Sequence, residues 1–300
     1  MQPANVIAEI GCNHKGEMSI AREMIEVAKI FCKAGHVKFQ KRNPRESLSP
    51  EEYGTCHPEP FHSYGSTYGE HRETLELTLD QHRDLKEYCE SMGVVYSCSV
   101  WDMTSTREIV SLKPELIKFP SACNTNPEML GYVCGEFGGE IHVSLGMTTR
   151  KEEEELVSFL AGKGRAKDAV LYACTSGYPV PDEDSYLLEI PRLRKTYGGM
   201  IKAVGFSGHH NGIAIDMAAF TLGAAWIERH YTLNRTWKGT DHAASLEPDG
   251  LRRLIRDIKC VAAAAQEKPK DILDIEIPQR NKLKWNRPSI GAPLAGKKGT

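Results

Sequence analysis

The stretch VIAEIGCNHKGEMSIAREMIEVAKIFCKAGHVKFQ, residues 6–40, contains the pattern that decides the fold. Two short β-rich runs, Val6–Gly11 and His36–Gln40, flank a longer segment over Ile20–Lys33. Within that segment apolar residues recur every three or four positions, as they do on the buried face of a helix. The stretch therefore predicts a strand, a helix and a second strand, the unit from which parallel sheets are built.

The same alternation continues along most of the chain. Further β-rich runs lie at Val94–Ser99, Leu116–Pro120, Ile141–Gly146, Ala169–Cys174, Ala203–Ser207 and Ala225–Tyr231. Further helical patterns lie at Asp80–Ser91, Lys151–Leu160, Ile213–Leu222 and Asp249–Ala265. Eight strands, most followed by a helix, within roughly 230–260 residues are typical of a (β/α)8 TIM barrel. An open doubly wound sheet is the alternative, but no G-x-G-x-x-G follows the first strand, and we predict the barrel.

Two segments interrupt this rhythm. Lys41–Leu79 follows the second strand and is rich in Pro, Tyr, Gly and His, and a loop of such length is usually functional or disordered. From Pro269 onward the periodicity is lost. We predict a barrel domain over residues 1–266 and a linker or tail over residues 267–300, with no second domain.

Composition excludes several classes of protein. The 300 residues are 40% hydrophobic with a net charge of -2, which predicts one or two globular domains and gives no sign of nucleic-acid binding. No apolar run is long enough to span a membrane, and the first residues lack the pattern of a signal peptide. The nine cysteines are odd in number and form no C-x-x-C pair, so we expect a reduced, cytoplasmic protein.

Polar residues cluster where the predicted strands end, which is where TIM barrels carry their sites. They are Glu9, Lys38, Gln40, Lys118, Ser121, Ser144, Tyr178, Ser207, His209, Glu228 and His230. Two inward lysines on different strands, Lys38 and Lys118, favour an anionic ligand such as a phosphate or carboxylate, since buried lysines are costly without one. The alternative is that these lysines pair with Glu9 and Glu228 in a purely structural network.

Two histidines end adjacent strands, so their rings can converge on one divalent metal ion. His209 and His230 would serve as its ligands, although satisfied core histidines are the alternative. His210 is expected to point away. Glu9 and Glu228 are candidates for acid–base chemistry or for binding a substrate hydroxyl, and their spacing does not separate these roles.

Weaker signals lie outside this set. Histidines in predicted loops are expected to be solvated: His14, His71 and His242. A basic cluster is expected to be a solvated face or to hold a second phosphate: Lys41, Arg42 and Arg45. The acidic run Glu152–Glu155 is expected to be the exposed first turn of a helix.

Several motifs resemble the sialic acid synthase family, whose members condense phosphoenolpyruvate with an N-acylmannosamine-type aldehyde. They are IAEIGCNHKG (7–16), VKFQ (37–40), SGH (207–209) and IERH (227–230). Three more are similar to the branch that uses a 6-phosphorylated sugar: YGEH (68–71), CTSGYP (174–179) and TWKGTDHAASLEP (236–248). The resemblance runs from about Val6 to Gln266.

The resemblance implies roles for individual residues. His209 and His230 would bind a divalent metal, usually manganese, with magnesium or cobalt as alternatives. The phosphoenolpyruvate positions are Lys38, Lys118, Ser121, Ser144 and Ser207. The positions near the sugar or the reacting carbons are Glu9, Gln40, Tyr178, Glu228 and Asp241. A homodimer is also implied.

The sequence departs from the family in two places. KFPSAC (118–123) places Cys123 where the family carries an acid. The carboxyl-terminal antifreeze-like domain of the family is not expected here, because RPS (287–289) resembles only the linker into it.

The leading hypothesis is a transferase that makes a nine-carbon 3-deoxy-ulosonic acid or its 9-phosphate. The alternatives are the same chemistry on another aldehyde, a non-catalytic barrel that binds a sugar phosphate, and a metal-dependent aldolase or hydrolase.

Overall fold

The computed structural model describes residues 1–285, and in this range eight parallel strands close into a barrel in sequence order. The strands are β1 (Asn5–Gly11), β2 (His36–Lys41), β3 (Val95–Val100), β4 (Leu116–Phe119), β5 (Glu140–Ser144), β6 (Ala169–Cys174), β7 (Ala203–Gly208) and β8 (Trp226–His230). This confirms the predicted TIM barrel, and each predicted strand is found with ends that differ by at most two residues.

Helices surround the barrel. They are α1 (Met18–Ile30), α2 (Pro44–Ser47), α3 (Pro50–Gly54), α4 (Tyr68–Leu75), α5 (Leu79–Ser91), α6 (Met103–Ser111), α7 (Pro127–Glu136), α8 (Arg150–Gly162), α9 (Glu189–Tyr197), α10 (Ala214–Thr221), α11 (Pro248–Ala264) and α12 (Ile277–Leu283). Among the described residues, no helix has the length and apolar character needed to cross a bilayer.

The strands have two different faces because successive side chains alternate between them. Outward residues such as Ala8, Ile10 and Phe39 belong to the main core. Inward residues near the amino ends of the strands form a smaller apolar cluster: Ile7, Leu116, Val170, Tyr172 and Trp226. This cluster fills the floor of the barrel, so the polar inward residues lie toward the opposite, carboxyl-terminal mouth.

Strand register places the polar residues side by side at the mouth. Glu9 is in register with Lys38 of β2 on one side and with His230 of β8 on the other. Ser207 of β7 is in register with Glu228 of β8. Residues that are far apart in sequence therefore meet in one layer of the barrel.

A glycine at the end of β1 keeps this layer compact. Gly11 has a φ of 56°, in the left-handed region, and lies at a register shift between β1 and β2. A Cβ atom there would lie 3.0 Å from Gln40 Nε2 and 3.3 Å from Glu9 Oε1. These two side chains are joined by a hydrogen bond of 2.7 Å, which a larger residue at Gly11 would disturb.

The segment Lys41–Leu79 is not an unstructured loop. It contains α2, α3, α4 and a 3₁₀ turn over Pro60–His62. Capping boxes start two of these helices, with Ser49 bonded to the backbone of Glu52 in α3 and Thr67 bonded to that of Glu70 in α4. Short capped helices of this kind have too few turns to produce a clear apolar period.

The charged clusters were predicted to be solvated, and the structure corrects this in part. Lys41 and Arg42 are buried, and only Arg45 is exposed. In the acidic run, Glu153 is buried because its carboxylate accepts two hydrogen bonds from Arg192, at 2.8 and 2.6 Å. These charges are partnered across elements, which a local pattern does not reveal.

The histidines predicted to be solvated are all buried. His14 Nδ1 accepts from the Gly16 amide at 3.0 Å, and His71 Nδ1 accepts from the Tyr64 amide at 3.1 Å. His242 Nδ1 lies 2.7 Å from the hydroxyl of Thr232. His14 and His242 lie in loops as predicted, whereas His71 lies in α4.

The predicted tail contains some helix. After Pro269 there is a 3₁₀ turn over Asp274–Glu276, and α12 follows directly. The predicted linker motif at 287–289 lies outside the described residues. The domain boundary at residue 266 and the linker both stay predictions.

Candidate active site

One cavity of about 320 Å³ at the mouth of the barrel gathers nearly all the predicted site residues. Its lining includes Glu9, Lys38, Gln40, Lys118, Ser121, Ser144, Tyr178, Ser207, His209, Glu228 and His230. The remaining predicted residue, Asp241, lies beside them, with its Oδ2 atom 3.9 Å from His230 Nδ1. The structure therefore brings the whole predicted set together, while the role of each member stays a prediction.

Lys38 is surrounded by polar atoms at the centre of this cavity. Its Nζ atom lies 2.6 Å from Glu9 Oε2 and 3.7 Å from Glu228 Oε1. It also donates to Ser99 Oγ at 2.6 Å. Burial alone would lower the pKa of Lys38, but Glu228 and Glu9 together raise it above its usual value.

Lys118 is held mainly by one carboxylate. Its Nζ atom donates to both oxygens of Glu228, at 2.9 and 3.0 Å, and lies 3.9 Å from the centre of the Tyr172 ring. Burial lowers the pKa of Lys118, and the pair with Glu228 only partly offsets this effect. Burial would raise the pKa of Glu228, yet Lys118 and Lys38 hold it well below its usual range.

The Glu228 carboxylate therefore contacts both lysines, Lys38 and Lys118. Ser207 Oγ donates to Glu228 Oε1 at 3.2 Å, so three of the five predicted phosphoenolpyruvate residues contact this one carboxylate. The ion pairs are those of the alternative structural network. The same groups also line the cavity, so the ion-pair network and the predicted ligand site involve the same residues.

His209 and His230 stand together at the rim, with ring centroids 5.5 Å apart. His209 Nδ1 lies 3.0 Å from the Thr175 carbonyl oxygen, so Nδ1 carries the proton and Nε2 keeps its lone pair. Burial lowers the pKa of His209 to about 3, which keeps the ring neutral at pH 7. His230 Nδ1 is buried and has no hydrogen-bond partner in the described part of the chain.

These features fit a divalent metal in their donor chemistry. Neutral imidazoles oriented by a backbone carbonyl are the usual nitrogen ligands of transition metals. Within residues 1–285 no three His, Cys, Asp or Glu side chains form a complete metal site. His209 and His230 are the two residues that would hold such an ion.

His210 points away from the cavity, as predicted. Its backbone oxygen accepts from Arg229 Nη2 at 2.6 Å, and its Nε2 lies 3.3 Å from Asp216 Oδ2 on α10. Arg229 lies on β8 between the inward residues Glu228 and His230, so strand alternation turns its side chain toward the helices, where it contacts His210.

A second chain of contacts leads outward from Glu9. Gln40 Nε2 donates to Glu9, and Arg42 donates to Gln40 Oε1. The Arg42 guanidinium lies 4.1 Å from the centre of the Trp101 ring, which also lines the cavity. Arg42 is itself buried and pairs with Glu76 at 3.5 Å.

Sequence reasoning missed three residues at the site. Ser99 bonds Lys38, Trp101 lines the cavity, and Asn124 Nδ2 donates to the Ser144 carbonyl at 2.8 Å. Ser99 and Trp101 lie at and just after the end of β3, the one predicted strand whose end was not read for polar residues. Asn124 follows β4, and no local sequence pattern marks it as a site residue. Its position depends on its hydrogen bonds to the Ser144 carbonyl and to Thr148, at and after the end of β5.

Cys123, which stands where the resembling family carries an acid, supplies no negative charge. Its Sγ donates to the Trp101 carbonyl at 3.3 Å, and burial raises the pKa of the thiol to about 11. The thiol is therefore neutral at pH 7.

The family of the chain follows from comparison with known sequences. Residues 24–270 match the NeuB family. The chain belongs to this family. It is 35% identical over 281 residues to the N-acetylneuraminate-9-phosphate synthase of Homo sapiens, a match that covers 94% of this chain and 76% of the relative. It is 30% identical to the N,N'-diacetyllegionaminic acid synthase of Campylobacter jejuni, with 88% of this chain and 78% of the relative covered.

Solved structures show the same architecture. The sialic acid synthetase of Leptospira borgpetersenii superposes with a TM-score of 0.77 at 27% identity, covering 94% of this chain and 93% of that one. A 3-deoxy-D-arabino-heptulosonate 7-phosphate synthase from Thermotoga maritima gives a TM-score of 0.65 at 14% identity, which shows a shared fold. Both curated relatives named above are synthases, and the resemblance of the motifs to the sialic acid synthase family is confirmed.

Proposed function

We propose that this NeuB family protein condenses phosphoenolpyruvate with a mannose-type aldose and releases phosphate. The product would be a nine-carbon 3-deoxy-ulosonic acid related to sialic acid. The observation that carries the proposal is the buried cluster of two lysines and two glutamates at the mouth of the barrel, with His209 and His230 at its rim. The names of the relatives support it, because they are synthases of sialic acid 9-phosphate and of legionaminic acid.

Phosphoenolpyruvate would bind where the cationic groups converge. Lys38 and Lys118 would neutralise its phosphate and carboxylate, and Ser121, Ser144 and Ser207 would donate hydrogen bonds to their oxygens. Because Glu228 already contacts both lysines, the incoming anion would displace this carboxylate from at least one of them.

The aldehyde would lie between this cluster and the histidines. Glu9, Gln40 and Tyr178 line the cavity, and Asp241 lies beside His230. His209 and His230 would hold the divalent metal, which we propose to be manganese. When bound, such an ion supplies Lewis-acid polarisation of a carbonyl oxygen.

The reaction joins the C3 carbon of phosphoenolpyruvate to the aldehyde carbon, and the aldehyde oxygen becomes a hydroxyl by taking up a proton. Water then adds to C2, and cleavage of the bond between C2 and the phosphate oxygen releases inorganic phosphate. The lysines stabilise negative charge in these steps. Glu9 contacts Lys38, Glu228 contacts both lysines, and these two buried carboxylates are the candidates for moving protons.

The same chemistry on another aldehyde is a second candidate, and Cys123 favours it. A neutral thiol in place of an acid removes one contact that the family uses, so the aldehyde need not be an N-acylmannosamine. The leading proposal has N-acetylmannosamine 6-phosphate or mannose 6-phosphate as the aldose, and the second candidate has a different or unphosphorylated aldehyde.

The decisive experiment measures phosphate release from phosphoenolpyruvate with manganese and a panel of aldehydes. The panel contains N-acetylmannosamine and mannose, each with and without a 6-phosphate, together with shorter sugars. Lys118→Ala should abolish phosphate release while metal content is unchanged, and His230→Ala should lower metal content. Release that is independent of any aldehyde, or no release across the panel with metal bound, would refute the proposal.

The cytoplasmic location and the homodimer stay predictions from the sequence. Sedimentation equilibrium of the purified chain tests the dimer directly.

A further inference from the structure

A second cavity lies next to the catalytic one. Its volume is about 760 Å³, and it shares Trp101 and Ala122 with the catalytic cavity as common lining. Segments that follow β2, β3 and β4 form its walls, and they include Arg42, Tyr68 and Arg72. A substrate that extends from the mouth of the barrel past Trp101 would enter this space.

Arg72 of α4 is the unusual residue in this lining. Its Nε and Nη2 atoms both donate to the Tyr68 hydroxyl, at 3.1 and 2.7 Å. A guanidinium carries five N–H donors, so most of them are not used by this contact. Among residues 1–285 no other hydrogen bond and no ion pair involves the Arg72 side chain, although it is half-buried. The Asp241 and Glu76 carboxylates lie near enough to interact with its charge, but neither forms an ion pair with it in the described chain.

The other lysines and arginines that line the two cavities are all paired with carboxylates. Lys38 pairs with Glu9 at 2.6 Å, Lys118 with Glu228 at 2.9 Å, and Arg42 with Glu76 at 3.5 Å. Arg72 alone among these four cations has no ion-pair partner in the described chain. A half-buried cation without a paired carboxylate is suited to binding an anion from solution.

The acidic residues in the second cavity are engaged elsewhere. Glu46 accepts from the Met103 amide at 3.0 Å, and Asp102 accepts from the Ser105 amide at 2.7 Å, so both serve the start of α6. Glu128 is largely exposed to solvent. Their charge is therefore directed at backbone donors or water rather than at Arg72.

We propose that Arg72 binds the terminal phosphate of the aldose substrate, at the end opposite the reacting aldehyde. This inference rests on the proposed function, because it concerns the same substrate. It assigns Arg72 as the residue that binds the phosphate end of the sugar, beyond Trp101. Gln40, Arg42 and Trp101 form a continuous wall from the catalytic cavity toward Arg72. The substrate class is thus a phosphate monoester of an aldose.

The test compares phosphorylated and unphosphorylated aldoses in three variants. Arg72→Gln removes the charge, Arg72→Lys keeps it, and Arg45→Gln is the matched control. Arg45 lies on the neighbouring helix α2 and is exposed, and its guanidinium contacts Glu73 at 2.9 Å without lining the cavity. The readout is the ratio of kcat/KM for N-acetylmannosamine 6-phosphate to kcat/KM for N-acetylmannosamine.

We expect Arg72→Gln to lower this ratio by about 10- to 100-fold, the value of one lost charge-assisted hydrogen bond. Arg72→Lys should recover part of the ratio, and Arg45→Gln should leave it unchanged. An unchanged ratio in Arg72→Gln, or a wild-type ratio near one, overturns the assignment.

Failure of the proposed function is separately visible as a lack of turnover with every aldose. In that case calorimetric binding of mannose 6-phosphate and mannose still decides the role of Arg72. Tighter binding of the phosphate ester that is lost in Arg72→Gln supports the assignment, and equal binding of the two sugars overturns it.

Discussion

Replacement of Glu228 by glutamine should tighten the binding of phosphoenolpyruvate. In the structure, the Glu228 carboxylate bonds to Lys118 at 2.9 and 3.0 Å and accepts from Ser207 at 3.2 Å. An incoming phosphate or carboxylate must replace these contacts. The neutral amide that Glu228→Gln introduces would compete less well, because hydrogen bonds to charged groups are the stronger ones.

The size of the effect follows from the contacts that are exchanged. A hydrogen bond to a charged group contributes about 1.5–3 kcal/mol, so the loss of one such competitor should lower the dissociation constant by about 10- to 100-fold. Glu9→Gln is the matched control, because it removes the same charge from the same cluster. Glu9 contacts Lys38 but not Lys118, so this variant leaves Lys118 paired, and we expect a much smaller change.

The assay is isothermal titration calorimetry with phosphoenolpyruvate and manganese in the absence of an aldehyde. Binding should be measured at pH 6.0 as well as pH 7.5, because burial lowers the pKa of Lys118 and the variant removes its partner. Turnover of Glu228→Gln should fall even as binding tightens. Equal tightening in Glu228→Gln and Glu9→Gln would show a general effect of charge, and weaker binding in Glu228→Gln would refute displacement.

Three further predictions concern stability. Gly11→Ala should destabilise the fold by about 1 kcal/mol or more and lower kcat, because of the positive φ and the approach to Gln40; unchanged unfolding in urea at full activity would contradict this. Arg229→Met should cost about 3–5 kcal/mol, because Asp216 is then buried without its cation. The double variant with Asp216→Leu should unfold at higher urea than Arg229→Met alone, and a lower midpoint would count against the uncompensated charge. Burial lowers the pKa of His82 to about 3, so the unfolded chain binds a proton below pH 6.5 that the folded chain excludes. His82→Phe should therefore shrink the loss of unfolding free energy between pH 7 and pH 5 by about 2 kcal/mol, and an unaltered pH dependence argues against this account.

The barrel and the layer of polar residues at its mouth could be predicted from the sequence. Strand alternation is a local property, so Lys38 and Gln40 on one strand, and Glu228 and His230 on another, could be assigned to the same inward face. Closure of the barrel then brings the strand ends together without further information. This is why a list read from strand ends matches the lining of one cavity.

The remaining features depend on contacts between distant segments. His71 looks like a loop histidine in sequence, yet α4 is capped by Thr67 and the ring packs at 4.4 Å from that of His57. Arg42 looks like a surface cation, but Glu76 and Trp101 enclose it. Neither burial can be read from neighbours in the chain, because the partners come from other parts of the fold.

The structural network and the ligand site, which the sequence could not separate, are linked by electrostatics. Two buried lysines without counter-charges would cost several kcal/mol each, so a barrel with an empty site needs internal carboxylates. Glu9 and Glu228 meet that need, with Lys38 and Lys118 as their partners. Yet the same carboxylates compete with any anionic substrate, so strong internal pairing weakens substrate binding. Glu228 contacts both lysines and Ser207, whereas Glu9 contacts only one lysine. If the proposed function holds, exchange of Glu228 for the substrate anion would keep the lysines paired in both states, and it would free a buried carboxylate in the same cavity.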